Sequence, residues 1–195
     1  MKVKIKIPTD WSDVNIETFQ KFEELQALEL PSNQKNLEIV SLLCSVEKNV
    51  LERFKITEIN EIASEINELN VDNVVDVEIK TMIKLNKVKY GLIPNLSEMT
   101  TGEFIDLESF IQDGVVKNLH TIMSILYRPI IGSINANGQY TIEDYIPSEA
   151  KEQNMLKLPM DIALGVVSFF FRLGLTLQSD LNSSSEKQSL VMARA

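Results

Sequence analysis

Residues 100–130 read Thr100-Thr-Gly-Glu-Phe-Ile-Asp-Leu-Glu-Ser-Phe-Ile-Gln-Asp-Gly114-Val-Val-Lys-Asn-Leu-His120-Thr-Ile-Met-Ser-Ile-Leu-Tyr-Arg-Pro-Ile130. Thr100 and Glu103 have the spacing of a capping box, in which each side chain satisfies a backbone N–H at a helix start. Phe104, Leu107, Glu108 and Ile111 follow along that helix, which is expected to stop near Asp113-Gly114. A second helix is expected from about Val116 to Tyr127, with Leu119, Ile122, Met123 and Leu126 at the spacing of one buried face. Arg128-Pro129 should end it, because proline disfavours the helical conformation of the residue before it. Two helices joined by so short a link point to a mainly helical fold.

On the N-terminal side, Lys2 to Ile7 alternates lysine with Val3, Ile5 and Ile7, the pattern of a strand with one face inward; Pro8 ends it. Asn15 can cap a helix running to about Glu29, with Phe19, Phe22, Leu25 and Leu28 as its apolar stripe. Pro31-Ser32-Asn33 breaks that helix and caps the next, which carries Leu37, Val40, Leu43 and Cys44. A short helix is expected around Val50–Phe54. Thr57 can cap another, with Ile59, Ile62, Ala63, Ile66 and Leu69 on one face. Residues 75–94 then read as a β-hairpin with Asn86 at its turn and lysines at 80, 84, 87 and 89. Those lysines have a simple account as a solvated face or as edge protection.

Beyond Ile130, Asn137-Gly138 between Ile134 and Tyr140-Thr-Ile142 suggests a second short hairpin. Ser148 can cap a helix over 149–156, and Pro159 suits the first turn of an apolar helix reaching about Leu177. From Asn182 the chain is serine-rich and polar. The expected architecture is therefore mainly α with small β elements (α+β): a helical bundle with an N-terminal strand and one or two hairpins. One domain is expected over 1–181, with helical halves 1–70 and 100–181 around the hairpin, and a flexible tail over 182–195.

The chain has 195 residues, 28 acidic against 19 basic, for a net charge of −9. That balance disfavours direct nucleic-acid binding, whose affinity comes chiefly from Lys and Arg neutralising phosphates. Cys44 is the sole cysteine, in an apolar run, and is expected to behave as a small buried hydrophobe in a reducing compartment. The apolar stretch Ile162–Leu177 is shorter than the roughly 20 residues a spanning helix needs, and Arg172 interrupts it. No membrane association is expected.

Chemistry is hard to find. His120 is the only histidine, which removes most nucleophile–base arrangements and any multi-histidine metal site. With seven glycines there is neither a phosphate-loop pattern nor a dinucleotide fingerprint. Glu103 and Asp106 lie one helical turn apart, but acids in a first turn simply favour the helix dipole. No catalytic residue, cofactor or metal is expected.

Two segments look more like binding surfaces. Tyr127, Arg128, Pro129 and Ile130 put an aromatic and an arginine, both favoured at interface hot spots, beside a rigid proline. An arginine at a helix end also complements the dipole, so a structural role competes. Phe169, Phe170 and Phe171 together span more than half of a helix circumference, so at least one must leave a single-sided core. Burial in a central helix competes there.

The opening Ile7-Pro-Thr-Asp-Trp-Ser-Asp-Val14 resembles the start of small tail-region proteins of tailed bacteriophages, the tail assembly chaperone-like group. Met99 to Glu108, Leu119 to Ile130, Tyr140 to Tyr145, and Leu158 to Gly165 with the Phe169–Phe171 run resemble the same group. This resemblance implies a non-enzymatic phage assembly protein, made in the bacterial host cytoplasm, whose partners are other virion or tail proteins; an oligomer is compatible with it. The alternative is a minor structural or packaged cargo protein of the virion, in neck, tail or capsid. A carboxylate-dependent enzyme is the remote third reading. The expected mechanism is capture of partner segments by an apolar patch of the bundle, near the phenylalanine helix.

Overall fold

A computed structural model describes residues 4–69 and 79–169. Asn15 ends an extended segment, and its side-chain oxygen accepts a hydrogen bond from Thr18 N at 2.8 Å, starting helix α1 (Ile16–Ala27). The next two orphan donors of that helix find partners far along the chain. Ile16 N donates to Leu158 O and Glu17 N to Leu156 O, both at 3.0 Å, and Met160 N returns a bond to Val14 O. Trp11, in a 3-10 turn over Trp11–Asp13, meets Phe19 edge-to-face with ring centroids 5.3 Å apart. The start of α1 is thus joined to the C-terminal half through groups that must be satisfied when buried.

Helices α2 (Ser32–Leu43), α3 (Lys48–Leu51) and α4 (Ile56–Asn67) follow, burying Val40, Leu51, Ile59, Ala63 and Ile66. Strands β1 (Met82–Leu85) and β2 (Val88–Leu92) form the middle hairpin, closed by Asn86 and Lys87 with φ of 48° and 70°. Two consecutive positive φ values are what a tight hairpin turn with the right twist requires. Helix α5 (Thr101–Gly114) leads to α6 (Leu119–Leu126), then β3 (Tyr127–Ile131), β4 (Thr141–Ile142), α7 (Glu149–Met155) and a helix α8 over 160–169. The sheet is antiparallel with order β1-β2-β3-β4. A mainly α fold with a small β-sheet is the architecture the sequence predicts. Its centre is α6, where six of eight residues are buried.

Several local expectations need correction. Residues 4–7 join no ladder, although Ile5 and Ile7 do pack on the core while the lysines face out. The alternation marks an extended apron here and not a strand; residues 1–3 lie outside the description. Helix α2 begins at Ser32, with Pro31 as N-cap and no side-chain cap. Thr57 sits inside α4, whose cap position is Lys55, with the Glu58 carboxylate accepting from Lys55 N. Ser148 occupies the N-cap of α7, but its side chain makes no cap bond.

The largest correction is at Tyr127-Arg-Pro-Ile130. These residues do not finish a helix; they form β3, paired to β2 through Leu92↔Tyr127, Gly91↔Arg128 and Tyr90↔Pro129. Proline does stop the helix, as expected, but the freed backbone is claimed at once by the open side of β2. Pro129 is tolerated because it stands at the end of the β3–β4 register, where its carbonyl accepts from Glu143 N and no N–H of its own is called on. The expected second hairpin is present between β3 and β4, with a turn in which Gly138 N donates to Asn135 O at 3.0 Å. The hairpin residues 75–78, the rest of the apolar helix and the tail fall outside the described residues.

Gly91 shows why the sheet closes where it does. A Cβ there would lie 2.2 Å from Cε2 and 2.6 Å from Cδ2 of Tyr140. The ring cannot swing away freely, since its hydroxyl lies 2.9 Å from Thr81 O and 2.8 Å from Leu92 O and shares its one proton between them. Gly91→Ala is expected to lower stability by about 1–3 kcal/mol, the usual range for overpacking. Urea denaturation measures it, and a loss below experimental error would show that Tyr140 is not held.

Candidate functional site

Two features that the sequence presents separately meet inside the molecule. Glu103 completes the predicted capping box: its carboxylate accepts from Thr100 N while Thr100 Oγ1 accepts from Glu103 N. Its other oxygen, Oε1, lies 2.6 Å from a terminal guanidinium nitrogen of Arg128, and both side chains are almost wholly buried. Beside this pair, Tyr145 donates its hydroxyl to Asp106 Oδ2 at 2.9 Å. Burial first, and then that carboxylate, push the Tyr145 phenol up from its ordinary value. The phenol is a hydrogen-bond donor at any physiological pH and supplies no phenolate.

Tyr127 is 0% and Arg128 7% exposed. Tyr127 donates its hydroxyl to Lys80 O at 2.6 Å, and the Lys80 ammonium pairs with Asp161 at 2.9 Å. Pro129 and Ile130 are half-buried on the sheet, with Pro129 O accepting from Glu143 N. Within the chain this segment is interior framework; its aromatic and its arginine offer no surface. Phe169 is exposed, whereas Phe170 and Phe171 lie outside the described residues.

The open apolar surface lies instead on α5. Glu103, Leu107 and Phe110 follow one another at helical spacing on its packed side. Phe104 and Ile105, each 56% exposed, and Ile111 point elsewhere, with Val116 exposed just beyond the helix. Phe104 and Ile111 are two turns apart and share a flank. The sequence carries a trace of this: α5 has apolar residues at 104, 105, 107, 110 and 111, more than one face can bury. Glu103, Leu107 and Phe110 together mark the packed side, and Phe104, Ile105 and Ile111 are left out.

The remaining chemical candidates are occupied or inert. His120 sits on α6 with Nδ1 3.2 Å from Gln20 Nε2, and that same amide nitrogen donates to Val116 O and Lys117 O at 2.8 Å. Burial lowers the His120 pKa, and Glu152 partly opposes the shift. Burial pushes the Cys44 thiol up to about 11, which keeps it protonated and unreactive. Among the described residues no group of three His, Cys, Asp or Glu side chains is placed to hold a metal ion. No described helix is long and apolar enough to cross a membrane. No protein-family model matches the chain, and no curated protein or solved structure is significantly similar to it.

Arg128→Ala leaves the Glu103 carboxylate buried without its cation and is expected to cost about 3–5 kcal/mol. Arg128→Met combined with Glu103→Leu removes both charges and should recover most of that loss, short of about 1 kcal/mol for the missing cap. Chemical denaturation of the three chains decides this. Equal losses in the single and double variants would show that shape and not charge pairing matters here.

His120 also makes a pH signature. Its folded pKa lies below its unfolded one, so the unfolded chain takes up a proton first as pH falls. The His120 contribution is constant above the unfolded value near 6.5. It weakens from there down through the folded pKa. His120→Gln should flatten the stability profile in that window, as read by thermal melts across pH.

Proposed function

We propose that this chain is a non-enzymatic bacteriophage assembly protein, tail assembly chaperone-like, that binds other virion proteins through the exposed face of α5. The observation that carries the binding part is Phe104, Ile105 and Ile111, left open on a helix whose packed side is fixed by a buried charge pair. Large apolar side chains clustered on one element favour a protein partner, because covering them removes apolar area from water. The phage setting rests on the resemblance carried by Ile7–Val14, Met99–Glu108, Leu119–Ile130, Tyr140–Tyr145 and the 158–171 segment. Host cytoplasm during assembly is the setting that goes with it.

This reading moves the capture surface from the phenylalanine run to α5. Phe169 can extend it only if the two surfaces prove to be one in binding experiments. A chaperone role requires release, so the protein should be depleted from finished particles; a cargo or structural role requires retention.

The test joins both points. Phe104→Ser, Ile105→Ser and Ile111→Ser are surface changes, expected to shift stability by no more than about 0.5 kcal/mol each. A tagged wild-type chain should retain identified virion proteins from infected cells, and the triple variant should lose them. Mass spectrometry of purified particles should find the chain strongly depleted. Retention of the same partners by the triple variant would remove α5 as the surface, and stoichiometric presence in particles would replace the chaperone role with a structural one.

A further inference from the structure

The β1–β2 hairpin concentrates positive charge in a way that edge protection does not explain. Lys84 and Lys89 are directly opposite each other across the two strands, so both side chains project from the same face of the sheet. Lys87 stands in the turn between them, and all three are exposed. None forms an ion pair among the described residues; Lys80 of this same hairpin region and six other described cations do, while Lys4, Lys35, Arg53, Lys55 and Lys157 do not, so what sets these three apart is their clustering. An edge lysine guards an unpaired strand, and Lys84 on β1 fits that role. Lys89 does not, because β2 lies between β1 and β3.

Two local rules are broken to achieve this cluster. Like charges placed directly opposite one another destabilise a strand pair. Lys87, at φ 70°, occupies a left-handed turn position that favours glycine. Both departures act in the same direction, gathering ammonium groups at one end of an otherwise acidic chain of net charge −9. The tip is also held in place, since Asn86 Nδ2 donates to Asn154 Oδ1 of α7 at 3.3 Å. On the lysine-bearing face, Met82 is exposed two residues before Lys84.

We propose that this hairpin face binds a short acidic polypeptide segment, with Lys84, Lys87 and Lys89 facing its carboxylates and Met82 covering an apolar residue among them. A short segment fits better than nucleic acid. A continuous phosphate rail would run past the hairpin onto the negative body, whereas charges within about one Debye length of the tip feel mainly the lysines. The inference rests on the assembly reading for its setting, since it names the chemistry of a virion protein segment. It is measured without one.

The experiment uses the purified full chain and a fluorescent peptide of roughly ten residues, alternating Asp and Glu around one leucine, followed by anisotropy. Wild-type binding should weaken steeply from low salt to ~0.3 M. Lys84→Glu should weaken it about tenfold or more at low salt while raising the melting temperature, because it sets a carboxylate opposite Lys89. Lys89→Gln should also weaken binding without loss of fold. Lys35→Glu on α2 makes the same change in net charge and should leave binding within about twofold. Absence of salt-sensitive binding by the wild type, equal losses in Lys35→Glu and Lys84→Glu, or tighter binding of a single-stranded oligonucleotide of equal charge would each overturn the proposal. Because the probe is a synthetic peptide, failure here leaves capture on α5 standing, and failure of that capture leaves peptide binding measurable.

Discussion

A carboxylate in a protein interior is tolerable only with its charge and lone pairs occupied, and Glu103 meets that condition from two directions. One oxygen serves the start of its own helix through Thr100 N, and the other faces Arg128, twenty-five residues on and in a different kind of element. Either bond alone would leave a buried charge half-compensated. The second of them, reaching from α5 to β3, ties the rotation of the helix to the sheet. Turning the helix to bury Phe104 in place of Glu103 would strip Arg128 of its partner. The exposed apolar residues of α5 are therefore a consequence of where the charge goes; helix propensity and amphipathicity do not account for them.

The same pair depends on β3 being a strand. Arg128 projects from the face of the sheet that also carries Gly91, directly opposite it. Tyr127, its neighbour, projects to the other face and is wholly buried, with its hydroxyl on Lys80 O. Alternation at period two sends the arginine towards α5 and the tyrosine into the core. Had the α6 helix continued to Tyr127 and beyond, the two side chains would have lain about 100° apart on a helix, and no single docking of α5 could have used both in this way.

Helix existence was legible where apolar periodicity marked a buried face, with capping chemistry adding to it at α1 and α5. Thr100 with Glu103, Asn15, the Ile59–Ala63–Ile66 face and the Leu119–Leu126 stripe all stand as the sequence predicts. Legibility failed where the deciding partner was remote. Lys2–Ile7 has strand alternation, yet alternation reports a half-buried extended chain and cannot say whether a neighbouring strand exists. Tyr127–Ile130 was readable as the end of a helix, but its next state was set by β2, some thirty-five residues earlier. The interface reading of Tyr127 and Arg128 met the same limit: residue types that suit a hot spot also suit a buried ion pair, and only tertiary context separates them. The α5 face, conversely, was hidden by abundance, since too many apolar residues leave the buried subset undefined.

Along the face of the sheet that bears Arg128, the treatment of positive charge changes from one strand to the next. At β3 the guanidinium is enclosed and matched by Glu103. At β2 the glycine leaves room for the Tyr140 ring, which shields the ladder up to Thr81 and Leu92. At the hairpin end the cover stops, and Lys84 and Lys89 stand opposed with no ion pair among the described residues. Two lysines directly opposite each other on paired strands are a local cost that an acid at either position would remove. That cost, at a hairpin whose tip is tied to α7 by Asn86, is a local conflict of the kind that marks sites kept for binding. The fold thus separates two surfaces by their physics: an apolar one, exposed because a charge had to be buried beneath it, and a cationic one, held open against the local stability of its own strands.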